Sequence, residues 1–234
     1  MEKGKLYLCA TPIGNLEDMP VRGIRIMKEA DLIAAEDTRN SIKLINHFEI
    51  NTPMTSYHEY NKVDKAKTLV DKMLQGKTIV LISDAGTPGI SDPGFLLVRK
   101  CVERGVEVES LPGATAFVPA LILSGLNASR FTFIGFLPEK QKEREKLLSG
   151  YISATETLIF YSAPHDVNQD LKTLYSVLGN RKARAVKEIT KLHETVEHFN
   201  LESGLGSDPR GEYVILVEGG KYENQNLTLT EKEH

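Results

Sequence analysis

The sequence has no tryptophan and only two cysteines, Cys9 and Cys101, in 234 residues. Neither cysteine belongs to a disulfide framework or a metal-ligating spacing, so both read as small buried side chains. No apolar run approaches the roughly 20 residues needed to span a membrane. The opening MEKGKLYLCATPIG lacks the apolar core and small-residue cleavage site of a secretory signal, which leads to the expectation of a cytoplasmic protein. A strong charge of one sign is also missing. The net charge of −3 argues against a uniformly basic nucleic-acid binder but leaves room for a local basic face. RKARAVKEITK (181–191) is the better candidate for such a face; EKQKEREK (139–146) alternates in sign and reads as a solvated helix surface.

The usual chemical signatures are absent as well. There is no G-x-G-x-x-G after a strand and no G-x-x-x-x-G-K-[ST], which weakens the dehydrogenase and P-loop readings. There is no G-x-S-x-G elbow and no H-E-x-x-H, and His165 and His193 stand alone, so no metal is expected.

What is present is an alternation of short apolar runs and amphipathic stretches. KLYLCA, DLIAAE, MTSYH, TIVLIS and VEVESL read as strands. PVRGIRIMKEA, NSIKLINHF, VDKAKTLVDKMLQ, FLLVRKCVERG and ATAFVPALILSGL read as the helices between and after them. That order predicts an α/β domain with a mostly parallel sheet. The pattern pauses at SGLNASR (124–130), then resumes with FTFIGF, the charged helix, ETLIFYSAP, DVNQDLKTLYSVLG and KARAVKEI. ETVEHFNL and GEYVILVEG, close together and alternating, suggest antiparallel pairing and a mixed second sheet. The expected organisation is an N-terminal α/β domain over 1–124, a linker at 125–130, a C-terminal α/β domain over 131–225 and a tail at 226–234.

Ligands of open α/β sheets bind at the carboxyl ends of the strands. Three turns marked by glycine or proline fall there: TPIGN, SDAGTPGISDPG and LPGAT. Their exposed amides suit an anionic group, and their poverty in lysine argues against a polyphosphate. AAEDTRNS places Glu36, Asp37 and Arg39 on the same rim; Asp37 or Thr38 is expected to cap the helix that follows, leaving another carboxylate open. SYHEYN adds Tyr57, His58, Glu59 and Asn61.

Together TPIGNLEDM, EDTR, YHEYN, LISDAGTPGISDPG, LPGATA, ALILSGL, FIGFLP, APH and EITK resemble, in order across nearly the whole chain, the small-subunit ribosomal RNA methyltransferases of the tetrapyrrole methylase superfamily. The resemblance implies two α/β domains, a homodimer, and S-adenosyl-L-methionine (leaving as S-adenosyl-L-homocysteine) in the inter-domain cleft. The acceptor it implies is a cytidine ribose 2′-hydroxyl in small-subunit ribosomal RNA, naked or in the assembled subunit. Carried over by motif, Pro12, Asp84, Gly86, Thr87, Ile90, Thr115, Ala116 and Tyr161 are the expected cofactor contacts. Glu36, Asp37 and His58 are the candidate catalytic groups; Arg22, Arg39, Tyr57, Asn61, Lys187 and Lys191 are the expected RNA contacts. The chain departs from the family at Ser162, often Glu, and at Asp166, often Arg; the family also continues into a small helical domain beyond LTLTEKEH. The alternatives are a small-molecule tetrapyrrole methylase of the same fold and a non-catalytic RNA-binding homologue.

Overall fold

The structure, a computed structural model, describes residues 3–206 and 209–220. The tail expected at 226–234, and the end of the second domain expected at 225, lie outside them. Contacts group the chain into two compact units, Met1–Pro119 with Glu188–Glu194, and Ala120–Lys187 with Thr195–His234.

The first unit contains strands β1 (Lys5–Cys9), β2 (Leu32–Ala35), β3 (Met54–Ser56), β4 (Ile79–Ile82) and β5 (Glu107–Leu111). They form a sheet in the order β3-β2-β4-β1-β5, parallel throughout. Helices α1 (Val21–Glu29), α2 (Thr38–His47), α3 (Lys62–Leu74) and α4 (Gly94–Glu103) provide the crossovers, and α5 (Phe117–Ser124) follows β5. Successive strand residues point to opposite faces, and β4 shows it directly. Ile79 and Leu81 pack with Leu69, Met73, Leu97 and Cys101 of α3 and α4. Val80 and Ile82 pack with Ile26, Met27 and Ile45 of α1 and α2. Burial on both faces explains why β4 reads as an unbroken apolar run. Both cysteines are fully buried, and desolvation pushes each thiol up to about 12.

From β1 the chain crosses to β2 on one side of β4, whereas from β4 it crosses past β1 to β5 on the other. The direction of winding therefore reverses between β1 and β4, which is where an open α/β sheet leaves a crevice at its carboxyl edge.

The second unit has strands β6 (Phe131–Phe136), β7 (Thr157–Ser162), β8 (Lys182–Lys187), β9 (Thr195–Asn200) and β10 (Tyr213–Val217), with helices α6 (Gln141–Ser149) and α7 (Val167–Leu178). The sheet order is β6-β7-β10-β8-β9; β6 and β7 are parallel, and the remaining pairs antiparallel. The sheet is mixed as expected, but β9 pairs with β8 and not with β10. The reason is burial: all five residues of β10 are buried, so it takes a central place, while the half-exposed β9 takes an edge. The core of this unit gathers Leu148, Phe160, Leu171, Leu174, Ala185 and Ile215.

Candidate active site on the first sheet's carboxyl rim

At the reversal point the loops after β1 and β4 are stitched together. Thr11 N–H donates to the Gly86 carbonyl (2.9 Å), and Gly86 N–H donates back to Thr11 (3.0 Å). Gly86 sits at φ +81°, and a Cβ there would meet Ile13 Cγ2 at 3.3 Å and the Ala114 oxygen at 3.5 Å. Only glycine satisfies both the left-handed backbone and that close approach. The loop after β5 joins through Thr87, whose Oγ1 donates to the Ala114 carbonyl (2.9 Å) and lies 2.6 Å from Thr115 Oγ1. With the Thr87 proton committed to Ala114, the Thr115 hydroxyl is the donor between them. Three turns, separate in sequence, thus make one floor. It includes Pro12, Gly86, Thr87 and Thr115 of the expected cofactor set, with Ala116 just beyond Thr115 and Ile90 exposed farther along the β4 loop.

The rest of the β4 loop is held by Asp92. Its carboxylate accepts from Gly89 N–H and Gly94 N–H at 2.7–2.8 Å, tying the loop to the start of α4. Burial raises the proton affinity of this carboxyl against those hydrogen bonds.

Acids dominate the rim. Asp84 Oδ1 accepts from Asp37 N–H (3.0 Å) and Oδ2 from the Asn40 amide (3.1 Å), joining the β4 loop to the start of α2. Asp37 caps α2: Oδ1 accepts from Arg39 N–H at 2.8 Å, and the Arg39 guanidinium grips both oxygens. That grip brings the Asp37 carboxyl down to about 2. Glu36 differs. It is half-buried, its Oε2 accepts from Asp84 N–H at 3.4 Å, and its carboxyl is raised above 4.5. Desolvation is the main cause, reinforced by the charges of Asp84, Asp92 and Asp37. Of the two adjacent carboxylates, Asp37 is held by the α2 cap and Arg39, whereas Glu36 is only weakly engaged by the Asp84 amide.

His58 is oriented by Asn61. The Asn61 Oδ1 accepts from His58 N–H (2.9 Å), which fixes the amide so that Nδ2 donates to His58 Nε2 (3.2 Å). In the neutral ring the proton then resides on Nδ1, which is buried without a partner among the described residues. His58 therefore offers an N–H and not a free lone pair, the wrong polarity for the general base expected of it. Tyr57 is corrected more sharply. It is 1% exposed, packs in the α3–α4 core and donates its hydroxyl to the Pro93 carbonyl (3.2 Å). Desolvation pushes its phenol up to about 12. In this position the ring is buried and supports the β4 loop; it is not presented at the surface as an RNA contact would be. Asn61 is likewise engaged with Ser56 and His58.

Three of the expected RNA cations are paired with acids. Arg39 lies on the acidic rim, paired with Asp37. Arg22 pairs with Glu109 (3.4 Å) on the edge strand β5. Lys191 pairs with Glu188 (3.1 Å) in the segment that follows β8, and Lys187 ends β8 in the second unit. Tyr161, also in the second unit, stands edge-on to Phe133 and Phe136, with ring centroids 5.0 and 5.5 Å away. Sequence reasoning missed Thr190, whose hydroxyl is buried without a partner among the described residues. The EITK motif contained Thr190, but its basic neighbours drew attention to charge.

The residues present fit a cationic ligand. Four carboxylates stand on or beside the rim (Glu36, Asp37, Asp84 and Asp92), a field that repels polyphosphate and favours a sulfonium. The described residues contain no group of three or more His, Cys, Asp or Glu able to hold a metal ion.

A parallel sheet bearing three interlocked loops at its reversal point, followed by a mixed sheet, defines the class of two-unit α/β methylases, and residues 5–203 match the family Tetrapyrrole (Corrin/Porphyrin) Methylases. Solved structures agree on the fold. Uroporphyrin-III C-methyl transferase from Thermus thermophilus, complexed with S-adenyl homocysteine, superimposes with a TM-score of 0.62 at 19% identity, covering 92% of this chain and 97% of that one. Among curated relatives, Ribosomal RNA small subunit methyltransferase I of Halalkalibacterium halodurans is 48% identical over 93% of this chain and 77% of the relative. The protein of the same name from Synechocystis sp. is 44% identical over 95% and 81%. The chain belongs to the tetrapyrrole methylase family, in its ribosomal RNA small subunit methyltransferase I branch, and is a methyltransferase.

Proposed function

We propose that this protein transfers a methyl group from S-adenosyl-L-methionine to the ribose 2′-hydroxyl of a cytidine in small-subunit ribosomal RNA. The observation that carries the reading is the rim itself: three interlocked loops under a cluster of acids, with Glu36 half-buried, weakly bonded and raised in proton affinity. The relatives' name supports the RNA acceptor, and the fold neighbour holding S-adenyl homocysteine supports the donor.

When bound, the donor supplies an electrophilic methyl on a positively charged sulfur. Pro12, Gly86, Thr87, Thr115 and Ala116 would hold it, with Asp84 and the neighbouring carboxylates balancing its charge. The chain's remaining task is to align the ribose oxygen and take its proton. Alignment alone is worth about 7–11 kcal/mol of barrier. Glu36 takes the proton, because a carboxylate raised by burial is a better base than one held down by an arginine. Asp37 keeps α2 and Arg39 in place, and Arg39 is the rim cation nearest to hand for a phosphate. Tyr161 is a proposed ligand contact on the second unit's aromatic cluster, and Lys187 and Lys191 are proposed RNA contacts. The resemblance adds a homodimer and a cytoplasmic location to the proposal.

The test is labelled methyl transfer to small subunits lacking the modification, with naked ribosomal RNA and a precorrin in parallel, followed by mapping of the label. Label on a cytidine ribose is the expected result. Label on the precorrin alone, or on no acceptor despite donor binding, overturns the assignment.

A further inference from the structure

The turn that follows β3 is fastened from several directions. Tyr57 N–H donates to the Ala35 carbonyl (2.8 Å), so the turn leaves the rim at the strand end next to that of Glu36. Asn61 N–H donates to the His58 carbonyl (3.0 Å), and Lys65 N–H to the Asn61 carbonyl (3.0 Å), which joins the turn to α3. The Tyr57 ring is sunk in the core, and the Asn61 side chain holds His58. Glu59 is paired with Lys62.

Tyr60 is the residue this frame leaves outside. It is 97% exposed, with its ring edge-on to His58 at a centroid distance of 6.1 Å. Single exposed apolar side chains are common on protein surfaces. Tyr60 differs in standing on a tightly bonded turn at the candidate active site. Its ring adds nothing to the core, and its faces are open to a flat partner.

The helix that follows Glu36 is unusual in its charge. α2, TRNSIKLINH, contains no acid. Arg39, Lys43 and His47 are all exposed. They recur every four residues, which puts them on one helix face at steps of about 6 Å along the axis. Other surface helices neutralise their own cations, Arg25 with Glu29 on α1 and Arg99 with Glu103 on α4. On α2 the Arg39 side chain meets Asp37 at the cap and is still 90% exposed. Lys43 has no ion pair among the described residues.

An aromatic platform beside a row of cations suits single-stranded nucleic acid, whose bases stack on rings while its phosphates meet the charges. RNA bases outside a duplex are bound in the same manner. We propose that Tyr60 and the basic face of α2 form a docking track for single-stranded ribosomal RNA beside the methylated nucleotide. A flanking base stacks on Tyr60, and phosphates pair with Arg39 and Lys43. The inference rests on the RNA reading of the rim and deepens it, by saying where the neighbouring nucleotides lie.

Steady-state methylation of small subunits lacking the modification tests it, in the full chain and in Tyr60→Ala, Tyr60→Phe and Lys43→Ala. Tyr60→Ala is expected to raise KM for the subunits at least about fivefold, the low end of base stacking on an aromatic ring. Its affinity for S-adenosylhomocysteine and its melting temperature should not change. Tyr60→Phe keeps the ring and is expected to stay within about twofold of the original chain. Lys43→Ala is expected to reduce the slope of log kcat/KM against log salt by about one.

An unchanged KM in Tyr60→Ala overturns the proposal, as does an equal loss in Tyr60→Phe, which would assign the effect to the hydroxyl. A lower melting temperature or weaker donor binding in Tyr60→Ala also overturns it, since the ring would then serve the fold. An unchanged salt slope in Lys43→Ala removes α2 from the track. Sedimentation of Tyr60→Ala as a smaller species, with KM unchanged, gives the face to a second copy of the chain. Failure of the unsubstituted chain to methylate the subunits overturns the RNA reading itself, a result distinguishable from all of these.

Discussion

The two units each bury charge, and they treat it in opposite ways. In the second unit, Arg144 and Asp170 are both 4% exposed and face each other with Nη1 and Oδ1 3.0 Å apart, close enough for strong attraction though not aligned as a hydrogen bond. Ser162 Oγ donates to the other Asp170 oxygen (2.5 Å), and Arg144 Nε donates to the Pro138 carbonyl (2.5 Å). Asp166 stands 3.7 Å from the same guanidinium. Charge there is closed by opposite charge, as a buried ion pair must be to persist. On the first rim, Glu36 is surrounded by acids, His58 Nδ1 and Thr190 Oγ1 have no partner among the described residues, and two non-glycine residues of the segment between β8 and β9 lie at positive φ. The comparison teaches that buried charge by itself does not mark a site. A site is marked where buried charge is left without an opposite charge to close it.

Replacing Glu36 breaks the comparison most severely. Glu36→Gln should lower turnover about 10²–10⁴-fold, the usual worth of a general base, while S-adenosylhomocysteine binding changes little. The acidic limb of the rate profile should move with it. A base acts deprotonated, and burial raises the Glu36 carboxyl above 4.5, so activity should fall as pH drops through that raised value. Single-turnover methyl transfer across pH checks both; a Glu36→Gln enzyme that keeps the rate and the limb assigns the proton to another group.

The second unit's cluster should fail in stability and not in chemistry. Arg144→Met strands Asp170 and should cost about 3–5 kcal/mol in urea unfolding, whereas Arg144→Met with Asp170→Leu should recover most of it. If the single variant is as stable as the original chain, the pair is not closed in the sense described.

A smaller effect is expected at Asp37. Its carboxyl is lowered to about 2, so the stability it contributes is present above the unfolded value near 3.8 and lost as pH falls from there towards 2. Asp37→Ala should cause a small fall in melting temperature at neutral pH that vanishes in acid, because its Arg39 partner is exposed and the pair is screened. Smallest is Arg39→Ala, which should reduce the salt dependence of RNA binding by about one phosphate contact. An unchanged salt slope removes Arg39 from the interface.

Much of this molecule was legible in its sequence. The alternation of TIVLIS-like runs with amphipathic helices gave the parallel sheet, because burial on both faces leaves a pattern local enough to read. Asp37 as a cap was legible too, since a helix start announces itself through the residue type at its first turn. Strand partners were not: β9 and β10 are neighbours in sequence, yet the sheet places β8 between them. Tyr57 was misread because its motif sits on the rim while its ring points into the core, an orientation that residue type does not reveal. Thr190 was invisible for a similar reason. Its positive φ and its lack of a hydroxyl partner among the described residues come from the fold, and neither is written in the EITK motif.

The central claim is that the three-loop floor of the first rim holds the methyl donor. Its most direct test is calorimetric titration of S-adenosylhomocysteine into the original chain and into Gly86→Val. A side chain at φ +81°, with Ile13 and Ala114 already in contact distance, splays the junction of all three loops. The account predicts binding by the original chain and at least about a tenfold loss in a Gly86→Val protein that still unfolds cooperatively. Equal binding by the two proteins, or none by the original, would contradict it.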